Sequence, residues 1–330
     1  MDDVSLYPLR FEPIFKPTLW GGRRLAEVLR RPLPGSDPIG EAWVLSDQGD
    51  QPSRVAAGPF RGQTLRQLLE QAAPRLLGPH FPAGSRFPLL LKFLDARDTL
   101  SVQVHPDDRH THLLPPGQRG KTEAWVVLHA DPGSRIYAGL QPGLSPDDLR
   151  RALRAGTIAD CLGAFQPQPG DCFFLRAGTV HALGGGVVLF EVQQNSDVTF
   201  RLYDWDRTDA KTGKPRQLHI EESLACTDFA AGPCGPVTPV VEATHPIRRE
   251  GLVRCPHFTL ARLHGEQPFS VGGDGRCRVL VGIQGQAQLE QDGAQQPFGP
   301  GDVVLLAAQG PAVQCRPAGT VVLLECGLPE

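Results

Sequence analysis

Short apolar runs separated by glycine and proline constrain the fold of this chain more than any other feature. Glycine supplies 37 and proline 32 of the 330 residues. The runs between them include PLLLKFL, EAWVVL, CFFL, VVLF and VVLLAA. Short segments of this kind, bounded by turns, are typical of antiparallel sheets in sandwiches or barrels. The sequence therefore predicts a mainly β protein.

Helical periodicity is confined to three segments. It covers Thr64 to Leu77, Ser145 to Arg154 and a short stretch around Glu221 to Ala225. Ser145 is a suitable N-cap, and Pro146 suits the first turn that follows it. We expect these helices to lie at the periphery of the sheets.

The length of the chain allows two domains. The segment AAGPCGPVTPV (230–240) contains no charged residue and reads as a connection. We therefore predict one domain over 1–230 and another over 240–330. A weak internal repeat supports this division, because Gly170-Asp171 precedes CFFL and Gly301-Asp302 precedes VVLL.

Charge and hydropathy exclude several classes of protein. Lys and Arg total 33 against 36 Asp and Glu, a net charge of -3, which argues against nucleic-acid binding through bulk charge. No apolar run reaches the roughly 18 residues of a membrane span, and the first residues are acidic where a secretory signal is basic. The eight cysteines form no C-x-x-C pair. We expect a cytoplasmic protein with reduced thiols and neither a nucleic-acid nor a membrane partner.

Polar side chains alternate along a predicted strand from Leu100 to His105. Ser101, Gln103 and His105 share one face of that strand, with valines on the other. In GKTEAWVVL (120–128), Lys121 and Glu123 alternate in the same way. Each segment alone is equally compatible with a solvated strand face.

The segment GDCFFLRAGTVHAL (170–183) matches the second cupin motif, G-x5-P-x-G-x2-H. Gly170, Gly178 and His181 are in register, and Arg176 stands where proline is usual. The first cupin motif is matched more loosely, by Gln103, His105 and Glu123. These four residues offer two imidazoles, a carboxylate and an amide oxygen, a donor set that a divalent cation such as Zn²⁺ accepts.

A further polar segment, FEVQQNSDVTFRLYDWDR (190–207), contains Glu191 and Arg201. Composition alone favours a surface ion pair for Arg201. The alternative is a clamp on a phosphate or a developing oxyanion.

Taken in order, these segments resemble the type I phosphomannose isomerases of the cupin superfamily. The resemblance runs from near the N-terminus to about residue 225 and also includes FEPIFKPTLWGG (11–22), GEAW (40–43) and PLLLKFLDARDTLSVQVHPDD (88–108). It implies two cupin-like jelly-roll barrels with a few peripheral helices. The activity implied is a zinc-dependent interconversion of mannose 6-phosphate and fructose 6-phosphate through a cis-enediol.

The resemblance also implies roles for single residues. The zinc ligands would be Gln103, His105, Glu123 and His181. Catalytic residues would be Arg201, Lys121 and Glu191, the last two as candidate bases, and Ser101 and Lys92 would line the sugar-phosphate site. One zinc ion per chain and a monomer or weak homodimer are expected. Ala312 occupies the position equivalent to His181 in the second barrel, which we therefore expect to bind no metal.

Two other functions compete with this one. The same ligands suit a cupin oxygenase or epimerase that uses Fe²⁺, although Lys121 and Arg201 suit an anionic sugar better than dioxygen chemistry. A sugar-phosphate sensor without turnover would be expected to have lost Glu123, Lys121 or Arg201, and all three are present.

Overall fold

The computed structural model describes residues 6–208 and 213–328. The predicted mainly β architecture with a few peripheral helices is confirmed. The strands of the first part of the chain are β1 (Leu9–Arg10), β2 (Ile14–Gly22), β3 (Ile39–Leu45), β4 (Asp47–Gln48), β5 (Gln51–Pro52), β6 (Leu89–Ala96), β7 (Val102–Val104), β8 (Glu123–Ala130), β9 (Ile136–Leu140), β10 (Leu162–Phe165), β11 (Cys172–Leu175), β12 (His181–Leu183), β13 (Val187–Gln194) and β14 (Phe200–Tyr203).

The second part of the chain continues in strands alone. They are β15 (Val240–Ala243), β16 (Arg248–Arg254), β17 (Thr259–Gly265), β18 (Phe269–Val271), β19 (Arg278–Gln284), β20 (Ala287–Gln291), β21 (Ala294–Phe298), β22 (Val303–Leu306), β23 (Val313–Pro317) and β24 (Val321–Gly327). The α-helices of the described residues are α1 (Leu25–Val28), α2 (Leu65–Leu77), α3 (Pro146–Ala155) and α4 (Ile220–Cys226), with a short 3₁₀ helix at Ile158–Cys161.

Four sheets stack as two facing pairs, as expected for two cupin-like halves. In the first half a five-stranded sheet (β10-β9-β12-β7-β14) faces a six-stranded sheet (β11-β8-β13-β6-β2-β3). In the second half a seven-stranded sheet (β1-β22-β19-β24-β17-β16-β15) faces a four-stranded sheet (β18-β23-β20-β21). The six- and seven-stranded sheets pack against each other over a shared hydrophobic core.

Alternation along single strands places each side chain in one of these layers. On β19, Val279 and Val281 enter the shared core, whereas Leu280 faces the four-stranded sheet. On β6, Leu91 and Phe93 enter the shared core in the same way. The residue between them, Lys92, therefore points into the interior of the first half.

The predicted helices α2 and α3 both begin at a capping box, and the Ser145 cap of α3 is the one predicted from the sequence. Thr64 and Gln67 form a capping box at the start of α2. Ser145 and Asp148 form another at the start of α3, which ends at Gly156 in a left-handed conformation with φ 70°. Within the part of the chain that the structure describes, no helix is long and apolar enough to cross a membrane. All eight cysteines are free thiols.

The internal repeat corresponds to one turn that occurs in both halves. Gly170 and Gly301 both have positive φ, 95° and 81°. The carboxylate that follows each glycine accepts a backbone N–H three residues earlier, at 2.8 Å for Asp171 and 2.9 Å for Asp302. Each turn delivers the chain into a short strand, β11 or β22.

The two halves are connected by more than the chain between them. Strand β1 pairs with β22, so the N-terminal strand belongs to a sheet of the second half. The connecting segment lies on the first half, where Cys234 and Val237 donate backbone hydrogen bonds to Ala138 and Cys172. The division into 1–230 and 240–330 stays a prediction.

Candidate metal centre and active site

Three predicted site residues lie side by side across the five-stranded sheet. Gln103 on β7 is directly opposite His181 on β12 and Arg201 on β14. Directly opposed residues of antiparallel strands project to the same face. Strand pairing therefore brings Arg201 beside Gln103 and onto the same sheet face as His181, and the interpretation of this arginine as an ordinary surface ion pair is not supported.

His105, Glu123 and His181 converge between the two sheets of the first half. The Nε2 atom of His105 is 3.5 Å from Glu123 Oε2, and that of His181 is 3.2 Å from Glu123 Oε1. One ligand atom from each residue lies within 4.8 Å of the others, and all three side chains are buried. No other set of three His, Cys, Asp or Glu side chains in the described residues meets this criterion.

Backbone carbonyls fix the orientation of both histidines. The Nδ1 atom of His105 lies 2.9 Å from the carbonyl oxygen of Val198, and that of His181 lies 2.8 Å from the carbonyl of Thr179. Each carbonyl can only accept, so Nδ1 carries a proton and Nε2 is the ring atom left to bind a metal. Both Nε2 atoms face Glu123, the orientation that metal-ligating imidazoles have.

The electrostatics of these three residues suit a bound cation. The buried Glu123 has no hydrogen bond of good geometry within the described residues, and its charge is balanced by the Lys121 ammonium 2.7 Å from Oε2. Burial raises the pKa of Glu123, but Lys121 and His105 outweigh that effect and hold it well below the usual range. Burial and then Lys121 lower the pKa of His105. A charged carboxylate and a neutral imidazole are the forms that bind metal, so the residues present fit the expected ion.

Lys121 lies two residues before the start of β8 and contacts two of the candidate ligands. Its Nζ atom is 2.7 Å from Glu123 Oε2 and 3.1 Å from His105 Nε2. It is also 3.8 Å from Glu191 Oε1. Lys121 therefore joins the metal group to a second cluster of buried charges.

That second cluster lies on the inner face of the six-stranded sheet. Lys92 on β6 and Glu191 on β13 are directly opposed, and Lys92 Nζ is 3.3 Å from Glu191 Oε1. The indole N–H of Trp125 donates to Glu191 Oε2 at 3.0 Å. Burial, and then the charge of Glu123, raise the pKa of Glu191 to about 7. Burial lowers the pKa of Lys92, but nearby carboxylates reverse that effect and leave it above its usual value.

Arg201 and Ser101 complete the set of predicted residues. Arg201 is half-buried; its side chain donates to the carbonyl of Gln217 at 2.9 Å, while its Nε atom has no partner among the described residues. Burial, followed by repulsion from Arg216, lowers the pKa of Arg201. Ser101 is buried and immediately precedes β7.

Glu41 and Trp43 on β3 belong to the same cluster and carried no assigned role in the sequence analysis. Glu41 Oε2 accepts from the indole of Trp43 at 2.7 Å and lies 3.4 Å from Lys92 Nζ. A signal was present, because Glu-Ala-Trp occurs both at 41–43 and at 123–125. In each copy the glutamate faces the site interior, and the indole donates to a carboxylate of the cluster.

A cavity of about 530 Å³ lies where the edges of the two sheets meet, at β2, β3 and β14. Lys16 and Trp43 line one side, with the Lys16 ammonium 3.9 Å from the centre of the indole. Asp197, Phe200 and His219 line the other. Its volume is within the range of small-molecule sites, roughly 300–1,000 Å³.

Comparisons with known proteins identify one family. A family model described as phosphomannose isomerase type I, catalytic domain, matches residues 9–123. The mannose-6-phosphate isomerase ManA of Bacillus subtilis is 33% identical over 311 residues, which span 92% of this chain and 94% of that protein. The mannose-6-phosphate isomerase of Streptococcus mutans is 37% identical over 295 residues, 86% of this chain and 90% of that one.

Two solved structures of mannose 6-phosphate isomerases are similar to this chain. The crystal structure of mannose 6-phosphate isomerase from Bacillus subtilis superposes with a TM-score of 0.88 at 31% identity, over 97% of this chain and 99% of that one. The apo form of the Salmonella typhimurium enzyme superposes with a TM-score of 0.76 at 18% identity, over 98% of this chain and 100% of that one. The second similarity is one of fold alone.

Proposed function

The chain belongs to the type I phosphomannose isomerases, and we propose that it interconverts mannose 6-phosphate and fructose 6-phosphate in a zinc-dependent reaction through a cis-enediol. The observation that carries the proposal is the convergence of His105, Glu123 and His181 beside the buried pair of Lys92 and Glu191. The three converging side chains bind a cation, and Glu191 of the buried pair is a carboxylate able to exchange protons.

The metal ligands in this proposal are His105, Glu123 and His181, with Gln103 as the fourth. Two imidazoles, one carboxylate and one amide oxygen suit zinc and leave room for substrate oxygens. When bound, the ion supplies positive charge that stabilises the oxyanion developing on the sugar. The carbonyls of Val198 and Thr179 keep the imidazoles in the required orientation.

Glu191 is the proposed base. Its carboxylate removes the proton from C2 of mannose 6-phosphate and returns it to C1, while a hydroxyl proton passes from O2 to O1. The Trp125 indole and Lys92 hold the carboxylate in place. Lys121, the other candidate base, is close enough to Glu191 Oε1 to exchange a proton with it through a small movement, since the two atoms are 3.8 Å apart.

Arg201 is the proposed anion-binding residue. It shares a sheet face with Gln103 and His181, and its Nε–H lacks a partner among the described residues. A guanidinium in this position stabilises an enediolate or binds the phosphate. Ser101 and Lys92 are proposed to line the same site.

The reaction is tested by coupling fructose 6-phosphate formation from mannose 6-phosphate to a reporter enzyme. The intermediate is tested by running the reaction in D₂O and following the C1 and C2 positions by NMR. If the base exchanges its proton with solvent while the cis-enediol is present, solvent deuterium is introduced at these carbons. Turnover without any deuterium at either carbon would contradict an enediol formed by a base that exchanges its proton with solvent.

A further inference from the structure

Glu41 and the proposed base, Glu191, lie on opposite sides of Lys92, because β3 and β13 both pair with β6. Its Oε2 atom is 3.4 Å from Lys92 Nζ, and Glu191 Oε1 is 3.3 Å from the same nitrogen. The ammonium is therefore shared almost equally between two carboxylates. The indole of Trp43 fixes Glu41 in this position by donating to Oε2 at 2.7 Å.

The sharing of Lys92 between two carboxylates affects how strongly Glu191 binds a proton. The cluster contains two buried ammonium groups, Lys92 and Lys121, two buried carboxylates, Glu123 and Glu191, and the partly buried carboxylate of Glu41. Glu123 is the carboxylate assigned to the metal. If Glu41 were uncharged, the full charge of Lys92 would act on Glu191 and stabilise its carboxylate. A carboxylate stabilised in this way is a weaker base.

The role inferred for Glu41 rests on the proposed function, because it requires Glu191 to be the base. We propose that Glu41 is a positioning residue that shares the Lys92 ammonium with Glu191 and so preserves the ability of Glu191 to accept a proton from the sugar. The groups that face Glu191 from neighbouring elements are Lys92 on β6, Trp125 and Glu123 on β8, and Lys121 before β8. Glu41 contacts Lys92 alone among these, and its negative charge also acts on Glu191 across the cluster in the same direction.

The substitution Glu41→Gln tests the inference, because it removes the charge and keeps an oxygen for the Trp43 indole. We expect kcat to fall by about threefold to thirtyfold, since weakening a base by one to two pKa units slows proton transfer by roughly this much. The KM for mannose 6-phosphate should stay within about twofold. The isotope effect on kcat with substrate deuterated at C2 should increase, because proton transfer limits the rate more strongly.

The matched control is Glu70→Gln, which removes the same charge from the exposed face of α2 and should change none of these values. An unchanged kcat and isotope effect in Glu41→Gln would overturn the inference. So would a fall in kcat and melting temperature with no change in the isotope effect, because a purely structural role predicts that result.

A second variant covers the case in which Glu41→Gln does not fold. Trp43→Phe removes the indole donor that orients Glu41 and should shift kcat and the isotope effect in the same direction by a smaller factor. An unchanged isotope effect in this variant would also overturn the inference. Failure of the wild-type protein to isomerise mannose 6-phosphate would instead contradict the proposed function, so the two failures are distinguishable.

Discussion

The side-chain amide of Gln103 lies 3.3 Å from the Nε2 atom of His181, and its N–H donates to that nitrogen. Nε2 is also the atom that faces Glu123 and that a metal would use. The two ends of an amide have nearly the same shape, so rotation of the group exchanges the N–H for an oxygen. Gln103 is thus placed to hold His181 without a metal and to add an oxygen ligand with one.

Replacing Gln103 by Leu should weaken zinc binding by about tenfold to a hundredfold, the usual cost of losing a group that supports a metal site. The imidazoles remain held by Val198 and Thr179, so the site should persist with reduced affinity. Competition with a chromogenic chelator measures the dissociation constant. Gln288→Leu on the exposed side of β20 is the control. An unchanged affinity would remove Gln103 from the ligand set.

Replacing Arg201 by Ala should lower kcat/KM for mannose 6-phosphate by about 10²- to 10³-fold, the typical effect of removing a donor to a developing oxyanion. Arg201→Lys should recover only part of this loss, because an ammonium cannot reproduce the planar fork of the guanidinium. Steady-state kinetics gives both values. Arg254→Ala removes an equal charge at an exposed position at the end of β16. If Arg201→Ala matched this control, Arg201 would have no catalytic role.

The activity should decline toward acid pH. Burial, and then the charge of Glu123, raise the pKa of Glu191 from 4.5 to about 7. The base must be deprotonated, so kcat/KM rises as the pH rises through this pKa. A bound cation offsets the charge of Glu123 and lowers the value, which moves the limb into the interval below about pH 7 in the zinc enzyme.

A profile of kcat/KM against pH at constant ionic strength measures this limb, with circular dichroism as the check on folding. A rate that stays constant across that interval while the fold is intact would exclude Glu191 as the titrating base.

The core shared by the six- and seven-stranded sheets should dominate stability. Phe93 is fully buried there, and its ring centre lies 5.4 Å from that of Phe190. Phe93→Ala should lower the free energy of unfolding by about 3–5 kcal/mol, as expected for a large side chain removed from a packed core. Urea denaturation measures the change. Leu19→Ala, at a position 46% exposed, should cost less than about 0.5 kcal/mol. Equal effects in the two variants would contradict the assignment of the core.

Local sequence patterns predicted the parts of the site that lie on single strands or turns. Alternation placed Gln103 on the polar face of a strand, and spacing after a glycine turn identified His181. Both residues lie where these patterns require. Periodicity predicted α2, and periodicity with the Ser145 cap predicted α3, for the same reason, because caps and periodicity are local properties.

Features that depend on pairing between distant strands could not be predicted in this way. Arg201 reaches the site because β14 pairs with β7, and composition alone favoured a surface ion pair. Glu41 contacts Lys92 because β3 pairs with β6. The pairing of β1 with β22 likewise joins opposite ends of the chain. Such register depends on tertiary packing, which a single sequence does not specify.

The most direct test of the account is fructose 6-phosphate formation by the purified protein before chelation, after chelation and after restoring Zn²⁺, with metal content measured at each stage. Activity should disappear with the metal and return with one zinc ion per chain. It should be independent of oxygen, which separates the enzyme from an iron-dependent oxygenase. Full activity in folded protein that contains no metal would contradict the central claim.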